Sequence, residues 1–143
     1  MGVLRSMARA AVAHWFFGNL YEEVVGVPEL VAATPPGGVL AWGSPARYYL
    51  LVAPVTVGSV VALAAPERTP RATFAAACTI AGAALTGPLV RGVVLDLLHG
   101  RVEPDEQDRL VRTWHRVNRV RLTLVGAAAV ALVTPPPRRS IVP

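Results

Sequence analysis

Two long uncharged stretches constrain the fold of this chain more than any other feature of its sequence. They extend over Tyr48–Pro66 and Ala72–Val90, and each contains nineteen residues. A helix of about 20 apolar residues crosses the hydrocarbon core of a bilayer, so both stretches are long enough to span a membrane. The charged turn between them is short, which predicts that the two helices are antiparallel neighbours.

Two weaker apolar stretches complete the pattern. Leu122–Pro137 ends in a proline cluster, and Ala10–Tyr21 is shorter and includes His14 and Asn19. The chain has 143 residues, of which 53% are hydrophobic and 16% charged, and this suits one compact membrane-embedded domain. The sequence therefore predicts a single all-α domain over 1–143, a four-transmembrane-helix bundle with helices at about 4–27, 48–65, 72–98 and 104–133.

Prolines set several of the predicted boundaries. Pro28 is expected to end the first helix, Pro88 to kink the third, and Pro104 to lie in the first turn of the fourth. Residues 28–47 include four prolines and three glycines, which predicts an ordered loop or a re-entrant segment. Nearby aromatic residues are expected to form an interfacial belt: Trp42, Tyr48 and Tyr49.

All fourteen basic residues are arginines, and they lie mainly at the edges of the apolar runs. That distribution is typical of a membrane protein and leaves no solvated basic face, so we expect the lipid bilayer as a partner and no nucleic acid. A cell-membrane location with both termini cytoplasmic would place six arginines inside and four outside. The inner set is Arg5, Arg9, Arg68, Arg71, Arg138 and Arg139, and the outer set is Arg47, Arg101, Arg109 and Arg112.

A polar column precedes the last apolar run. Trp114, Asn118 and Arg121 are spaced i, i+4 and i+7, so they lie on one face of a helix, with His115 and Arg119 in the adjacent column. Tryptophan and arginine at this place are also typical of an interfacial anchor with no further role. Arg121 is the deepest charge, and charges within a span usually face a cavity or a partner, which makes it a candidate site residue.

The first helix carries a matching polar stripe. His14, Gly18, Tyr21, Glu22 and Val25 share one face at about 100° per residue. Glu22 is the expected partner of Arg121, either as a structural ion pair or as part of a functional pocket. Glu23 is expected to point away from this face.

The same residues are the candidates for chemistry. We assign candidate catalytic roles to His14, Glu22, Asn118 and Arg121, and candidate substrate-binding roles to Tyr21, Asn19, Trp114 and His115. A metal site from His14, Glu22 and His115 would lack any recognised ligand spacing, so no metal and no other cofactor is expected.

The Trp114, Asn118 and Arg121 column before a fourth hydrophobic helix resembles the anthrone oxygenase-like family of small four-helix membrane proteins. The four-helix layout over nearly the whole chain and Pro28 after the first helix add to the resemblance. It implies oxidation of an activated aromatic polyketide, in which a base such as His14 or Glu22 removes an acidic C–H proton while Arg121 and Asn118 stabilise the enolate. The more polar first helix of this chain departs from that family, which leaves a cyclisation or another enolate-type step open.

Other functions use the same residues differently. In a non-catalytic assembly or small-molecule-binding protein, the polar side chains would only join the helices. A proton or solute pathway would use Glu22, His14 and Arg121 as a relay and would need a homo-oligomer to enclose it. The first expectation is a membrane-embedded tailoring enzyme for a lipophilic, polyketide-type small molecule.

Overall fold

The computed structural model describes residues 2–100 and 102–134, and these residues form helices without any strand. The all-α prediction is confirmed. The helices are α1 Gly2–Val25, α2 Val27–Ala33, α3 Pro45–Glu67, α4 Pro70–His99 and α5 Pro104–Val133. Arg101, Arg138 and Arg139, which entered the predicted charge distribution, lie outside the described residues.

Two of the helices are long and apolar enough to cross a membrane, which is fewer than the four predicted. They are α3, with mean hydropathy 1.9 over its most apolar window, and α4, with 1.5. Only 22% and 33% of the residues in these two windows are buried inside the protein, so most residues there are at least partly exposed. Outward apolar faces are what a lipid-exposed helix presents, whereas the core helix of a water-soluble protein would bury them.

The four long helices form a ring in the order α1, α3, α4 and α5, with each packed on the next. Alanine and valine dominate the shared core, around the fully buried Trp15 of α1. Gly82 of α4 lies under Trp15 and Val125, where an added Cβ would be 3.5 and 3.6 Å from their nearest atoms. Small residues therefore bring α4 close to α1 and α5.

The junction of α1 and α2 differs from the prediction that Pro28 ends the first helix. Helix α1 ends at Val25 because Gly26 adopts a left-handed conformation with φ of 70°. Pro28 lies in the first turn of α2, where its missing N–H costs no helical hydrogen bond. The predicted loop over 28–47 therefore begins with a short helix, and α3 starts before that segment ends, at Pro45.

Helix α4 changes its winding just after Pro88. It is α-helical over Pro70–Leu89, π-helical over Val90–Val94, and α-helical again over Leu95–His99. A proline cannot donate to the preceding turn, and a wider turn accommodates the interruption. The predicted irregularity at Pro88 takes this form, while α3 continues through Pro54.

Candidate functional site

A buried polar cluster lies between α1 and α5. Its members are at most 4% exposed, and they are Asn19, Glu22, Trp114, Asn118 and Arg121. Asn19 and Glu22 are three residues apart on α1, and the other three form the i, i+4, i+7 column of α5, so each helix presents one face to the other. The predicted Glu22 and Arg121 pairing is confirmed, with Glu22 Oε2 3.9 Å from an Arg121 terminal nitrogen.

Hydrogen bonds connect this buried cluster across the two helices. Arg121 donates to the Asn19 side-chain oxygen, and Asn118 Nδ2 donates to the Asn19 backbone carbonyl at 2.9 Å. Trp114 Nε1 donates to Glu22 Oε2 at 3.4 Å. The Arg121 guanidinium also lies over the ring of Tyr49 on α3, 4.8 Å from its centroid, in cation–π geometry.

The cluster is nevertheless incompletely bonded. Within the described residues, Glu22 Oε1, Arg121 Nε and the Tyr49 hydroxyl are buried without a hydrogen-bond partner. Glu22, Tyr49, Trp114 and Arg121 border a small cavity of about 20 Å³. Because buried polar groups in proteins nearly always have partners, this region is not optimised for stability alone.

Glu22 also lines a larger apolar cavity. Its volume is about 860 Å³, and it is bounded by α1, α2, the connection to α3 and the first turn of α3. Phe17, Leu30 and Trp42 form an exposed apolar mouth, whereas Glu22 and Tyr49 lie at its buried end. Its volume is in the range of small-molecule binding sites, and its lining is mostly apolar.

His14 lies on the wall of the large cavity, one turn and a half from the buried cluster. Its Nε2 is 2.8 Å from the Tyr48 hydroxyl, which also approaches the His14 backbone carbonyl at 3.3 Å. Gly18 makes this contact possible, since a Cβ there would lie 2.8 Å from the same hydroxyl. The Tyr48 side chain thus packs across α1 at Gly18, which is the glycine that α1 contributes to the cavity lining.

A second polar cluster lies at the end of α1 and includes Glu23, which was predicted to point away. His115 Nδ1 is 2.9 Å from Glu23 Oε2, and His115 Nε2 is 2.8 Å from Glu29 Oε1 on α2. Arg119 Nε donates to Glu23 Oε1 at 2.6 Å, and Asn118 Nδ2 donates to Glu23 Oε2 at 3.3 Å. The expectation for Glu23 is wrong, because it is the most heavily bonded carboxylate at this end of the bundle.

Two carboxylates on the two ring nitrogens require both nitrogens to donate, so this geometry belongs to the imidazolium form of His115. Burial opposes the charge most strongly, but the hydrogen bonds that His115 donates to Glu23 and Glu29, together with the charges of these carboxylates, outweigh burial and raise the pKa of His115 above its ordinary value. His115 lies two turns before Leu122, where the apolar part of α5 begins, and therefore outside the apolar stretch.

The predicted site residues separate into three groups. Asn19, Glu22, Trp114, Asn118 and Arg121 form the buried cluster. His14 and Tyr21 line the large cavity together with Glu22, and Tyr21 is 62% exposed at its mouth. His115 joins Glu23 and Glu29 instead, so the structure does not bring together the three residues of the conceivable metal site.

Sequence reasoning missed Ser44 and Tyr49, which line the large cavity near Glu22. Tyr49 was assigned to an interfacial aromatic belt, but it is buried, because the first turn of α3 packs on the polar face of α1. The Ser44-Pro45 pair could have predicted the start of α3, since serine followed by proline is typical of a helix N-terminus.

Among the residues that the structure describes, no group of three His, Cys, Asp or Glu side chains is arranged to hold a metal ion. No known family model, no curated protein and no solved structure matches this chain.

Proposed function

We propose that this protein is a multi-pass membrane enzyme that modifies a lipophilic aromatic, polyketide-type molecule through an enolate, with dioxygen as the co-substrate. In this proposal α1 and α5 cross the bilayer beside α3 and α4, and both termini are cytoplasmic. The observation that carries it is the position of Glu22. Its carboxylate lies at the buried end of an apolar cavity of about 860 Å³, with one oxygen unpartnered among the described residues.

A general base must reach the proton that it removes and must have a free lone pair. Glu22 Oε1 has no hydrogen-bond partner in the part of the chain described, whereas Glu22 Oε2 is near Trp114 and Arg121. His14 is the second candidate base on the cavity wall, and its Nε2 is engaged by the Tyr48 hydroxyl. This difference favours Glu22 as the base.

For an anthrone, the proposed reaction converts a ring CH₂ group to a carbonyl. The base takes one C–H proton and leaves an enolate, which reduces dioxygen and forms a C–O bond as a hydroperoxide. Loss of water, with the second C–H hydrogen, yields the quinone. One dioxygen is consumed and one water is released per substrate, and no other oxidant is required.

Arg121 and Asn118 contribute to this proposal as positioning residues. Neither residue lines the large cavity. The Arg121 guanidinium contacts Glu22 and the Tyr49 ring, and these two side chains do line it. Asn19 holds both residues through its side-chain and backbone oxygens. The buried cluster thus fixes the orientation of Glu22 and of Tyr49, which both line the cavity.

Dioxygen uptake and quinone formation by the detergent-purified protein, with a simple anthrone as substrate, test this function. Glu22→Gln keeps the shape of the side chain and removes the base, and we expect turnover to fall by roughly 10²- to 10⁴-fold. His14→Ala is the matched variant on the cavity wall, and full turnover would remove His14 from the mechanism. Wild-type protein that does not exceed the uncatalysed rate would contradict the oxygenase.

The alternative is a non-catalytic membrane protein for assembly or small-molecule binding. The bonding of Glu23 to α5 favours this alternative, since that cluster joins α1, α2 and α5 without facing the cavity. In such a protein Glu22→Gln would change binding or folding, and no product would form with any enolisable substrate.

A further inference from the structure

Three buried polar groups beside the large cavity lack a hydrogen-bond partner within the described residues. They are Glu22 Oε1, Ser44 Oγ and the Tyr49 hydroxyl, on side chains of residues that are 4%, 6% and 7% exposed. All three residues line the buried end of the cavity. Unpartnered polar groups in the wall of a binding pocket fix the orientation of a ligand when the ligand supplies the missing hydrogen bonds.

Ser44 shows most clearly that its hydroxyl is not needed by the fold. It occupies the N-cap position of α3, where serine normally accepts a hydrogen bond from the helix, but its side chain makes no such bond. Thr69, at the N-cap of α4, accepts from the Ala72 N–H at 3.2 Å. Both helices have an N-cap residue in the extended conformation that is followed by proline. The local backbone therefore does not explain why the Ser44 hydroxyl is left without a partner.

Tyr49 brings a second hydroxyl to the same end. Its hydroxyl interacts weakly with the Glu22 carboxylate, without the geometry of a full hydrogen bond, and the Arg121 guanidinium lies over its ring from the opposite helix. The tyrosine and serine hydroxyls can each donate and accept, whereas an ionised carboxylate only accepts. A ligand group that satisfies all three must therefore donate to Glu22 and be able to accept from a hydroxyl.

Among hydroxyl, carbonyl, carboxylate and ammonium groups, only a hydroxyl group on the ligand meets that requirement. A carbonyl or a carboxylate has no proton to donate to Glu22, and a carboxylate would add a second negative charge. An ammonium group has no lone pair to accept with, and the charge of Glu22 is already balanced by Arg121 at 3.9 Å. The apolar and aromatic remainder of the cavity suits a flat ring system attached to that hydroxyl.

We infer that the large cavity is a binding site for planar aromatic molecules that carry a phenolic or enolic hydroxyl, which Glu22, Ser44 and Tyr49 bind at its buried end. This inference rests on the ligand cavity of the proposed function and not on the reaction. It identifies the polar end of the substrate class and makes Ser44 and Tyr49 determinants of specificity.

The test compares 2-naphthol with 2-methylnaphthalene, which has nearly the same shape and no hydroxyl. Affinities are measured by titration calorimetry on the full chain in lipid nanodiscs, with empty nanodiscs as the blank. The measured quantity is the ratio of the two dissociation constants, because partitioning into lipid is the same for every variant. The variants are Ser44→Ala, Tyr49→Phe and both together. Ser59→Ala is the control, because Ser59 does not line the cavity and its hydroxyl donates to the Thr56 carbonyl at 2.9 Å.

We expect the wild type to prefer 2-naphthol by roughly 10-fold or more, as for one hydrogen bond to a charged acceptor. Each cavity variant should reduce the ratio, the double variant should bring it to about the value set by Glu22 alone, and Ser59→Ala should leave it unchanged. The thermal transition of Ser44→Ala should not fall, because the Ser44 hydroxyl has no protein partner to lose.

Equal affinity of the wild type for both probes, or an undiminished ratio in the double variant, would overturn the inference. If 2-naphthol is preferred while no anthrone is oxidised, the binding site stands and the proposed reaction fails. If neither probe binds above the blank, the ligand cavity itself is wrong, and both proposals fail together.

Discussion

Glu22 and Glu23 are neighbours on α1, yet their carboxylates have opposite surroundings. Glu23 has three hydrogen-bonding side chains around it, from His115, Asn118 and Arg119, at the water-accessible edge of the bundle. Glu22 is almost fully buried, with a long 3.9 Å ion pair, one 3.4 Å hydrogen bond and one oxygen without a partner among the described residues. The same pair of helices therefore supports a well-bonded cluster and an under-bonded one.

The difference indicates what each cluster is for. In the bonded cluster, hydrogen bonds between charged groups outweigh the desolvation of Glu23 and His115 and stabilise the packing of α1, α2 and α5. A buried charge with too few partners costs stability, and proteins retain such groups mainly where a ligand or a reaction uses them. Variants that affect one cluster and not the other test this interpretation.

The largest effect is expected from Arg121→Leu. It leaves the buried Glu22 carboxylate without its counter-ion, and breaking such a pair typically costs about 3–5 kcal/mol. We therefore expect a strongly lowered thermal transition in detergent. The double variant Glu22→Leu/Arg121→Leu should recover much of that loss, because no buried charge remains.

An exposed pair provides the control for this variant. Arg109 and Glu106 form an ion pair on the surface of α5, and Arg109→Leu should leave the transition unchanged. If Arg121→Leu also folds with unchanged stability, the pair has no structural role, and loss of turnover in that folded protein would assign it to the site alone.

The next effect is expected from Glu23→Ala, which removes the acceptor shared by His115, Asn118 and Arg119. Each lost hydrogen bond contributes about 1 kcal/mol. His115 and Arg119 regain water at this edge of the bundle, and the buried Asn118 keeps its bond to the Asn19 carbonyl. The transition should fall by less than in Arg121→Leu, and ligand binding in the cavity should be retained. A larger loss than that of Arg121→Leu would reverse the comparison between the two clusters.

Only part of this difference can be predicted from sequence. The column of Trp114, Asn118 and Arg121 and the facing Glu22 follow from helical periodicity, which is local. Glu23 cannot be assigned in this way, because its partners are more than 90 residues away and depend on how α5 rotates against α1. Ser44 and Tyr49 depend in the same way on the packing of α3.

The helices also differ in how well their ranges can be predicted from sequence. Run length and proline placement are sufficient for α3, α4 and α5, whose predicted and observed ranges differ by only a few residues. Helix α2 is too short to be stable alone. It is held by the burial of Val31 against α4 and α5 and by the contact of Glu29 with His115, which are 86 positions apart. A seven-residue helix of this kind has no sequence signal as clear as an apolar run.

The pH dependence of stability separates the two clusters further. The folded pKa of His115 is raised, so its contribution is fully present below its unfolded pKa of about 6.5 and is lost as pH rises through the folded pKa. Thermal transitions measured across that range should fall with rising pH in the wild type and should lose this part of the dependence in His115→Gln. An unchanged profile in the variant would show that His115 is not the titrating group.

The smallest effect on stability is expected from Gly18→Ala on the cavity wall. The new Cβ would lie 2.8 Å from the Tyr48 hydroxyl and 2.9 Å from its ring carbon Cε1, so the ring must turn away, which the partial exposure of Tyr48 allows at low cost. Alanine also favours the helix over glycine by up to about 1 kcal/mol, so the thermal transition should stay the same or rise. The His14 contact with Tyr48 would nevertheless be lost, which Tyr48→Phe also achieves without filling any space.

These two variants distinguish the shape of the cavity from the hydrogen bond on its wall. Equal changes in 2-naphthol affinity would assign the effect to the bond between His14 and Tyr48. A change in Gly18→Ala alone would assign it to the space that glycine leaves for the tyrosine ring. Because neither variant touches Glu22 or Glu23, either result locates a contribution to binding that depends on neither carboxylate cluster.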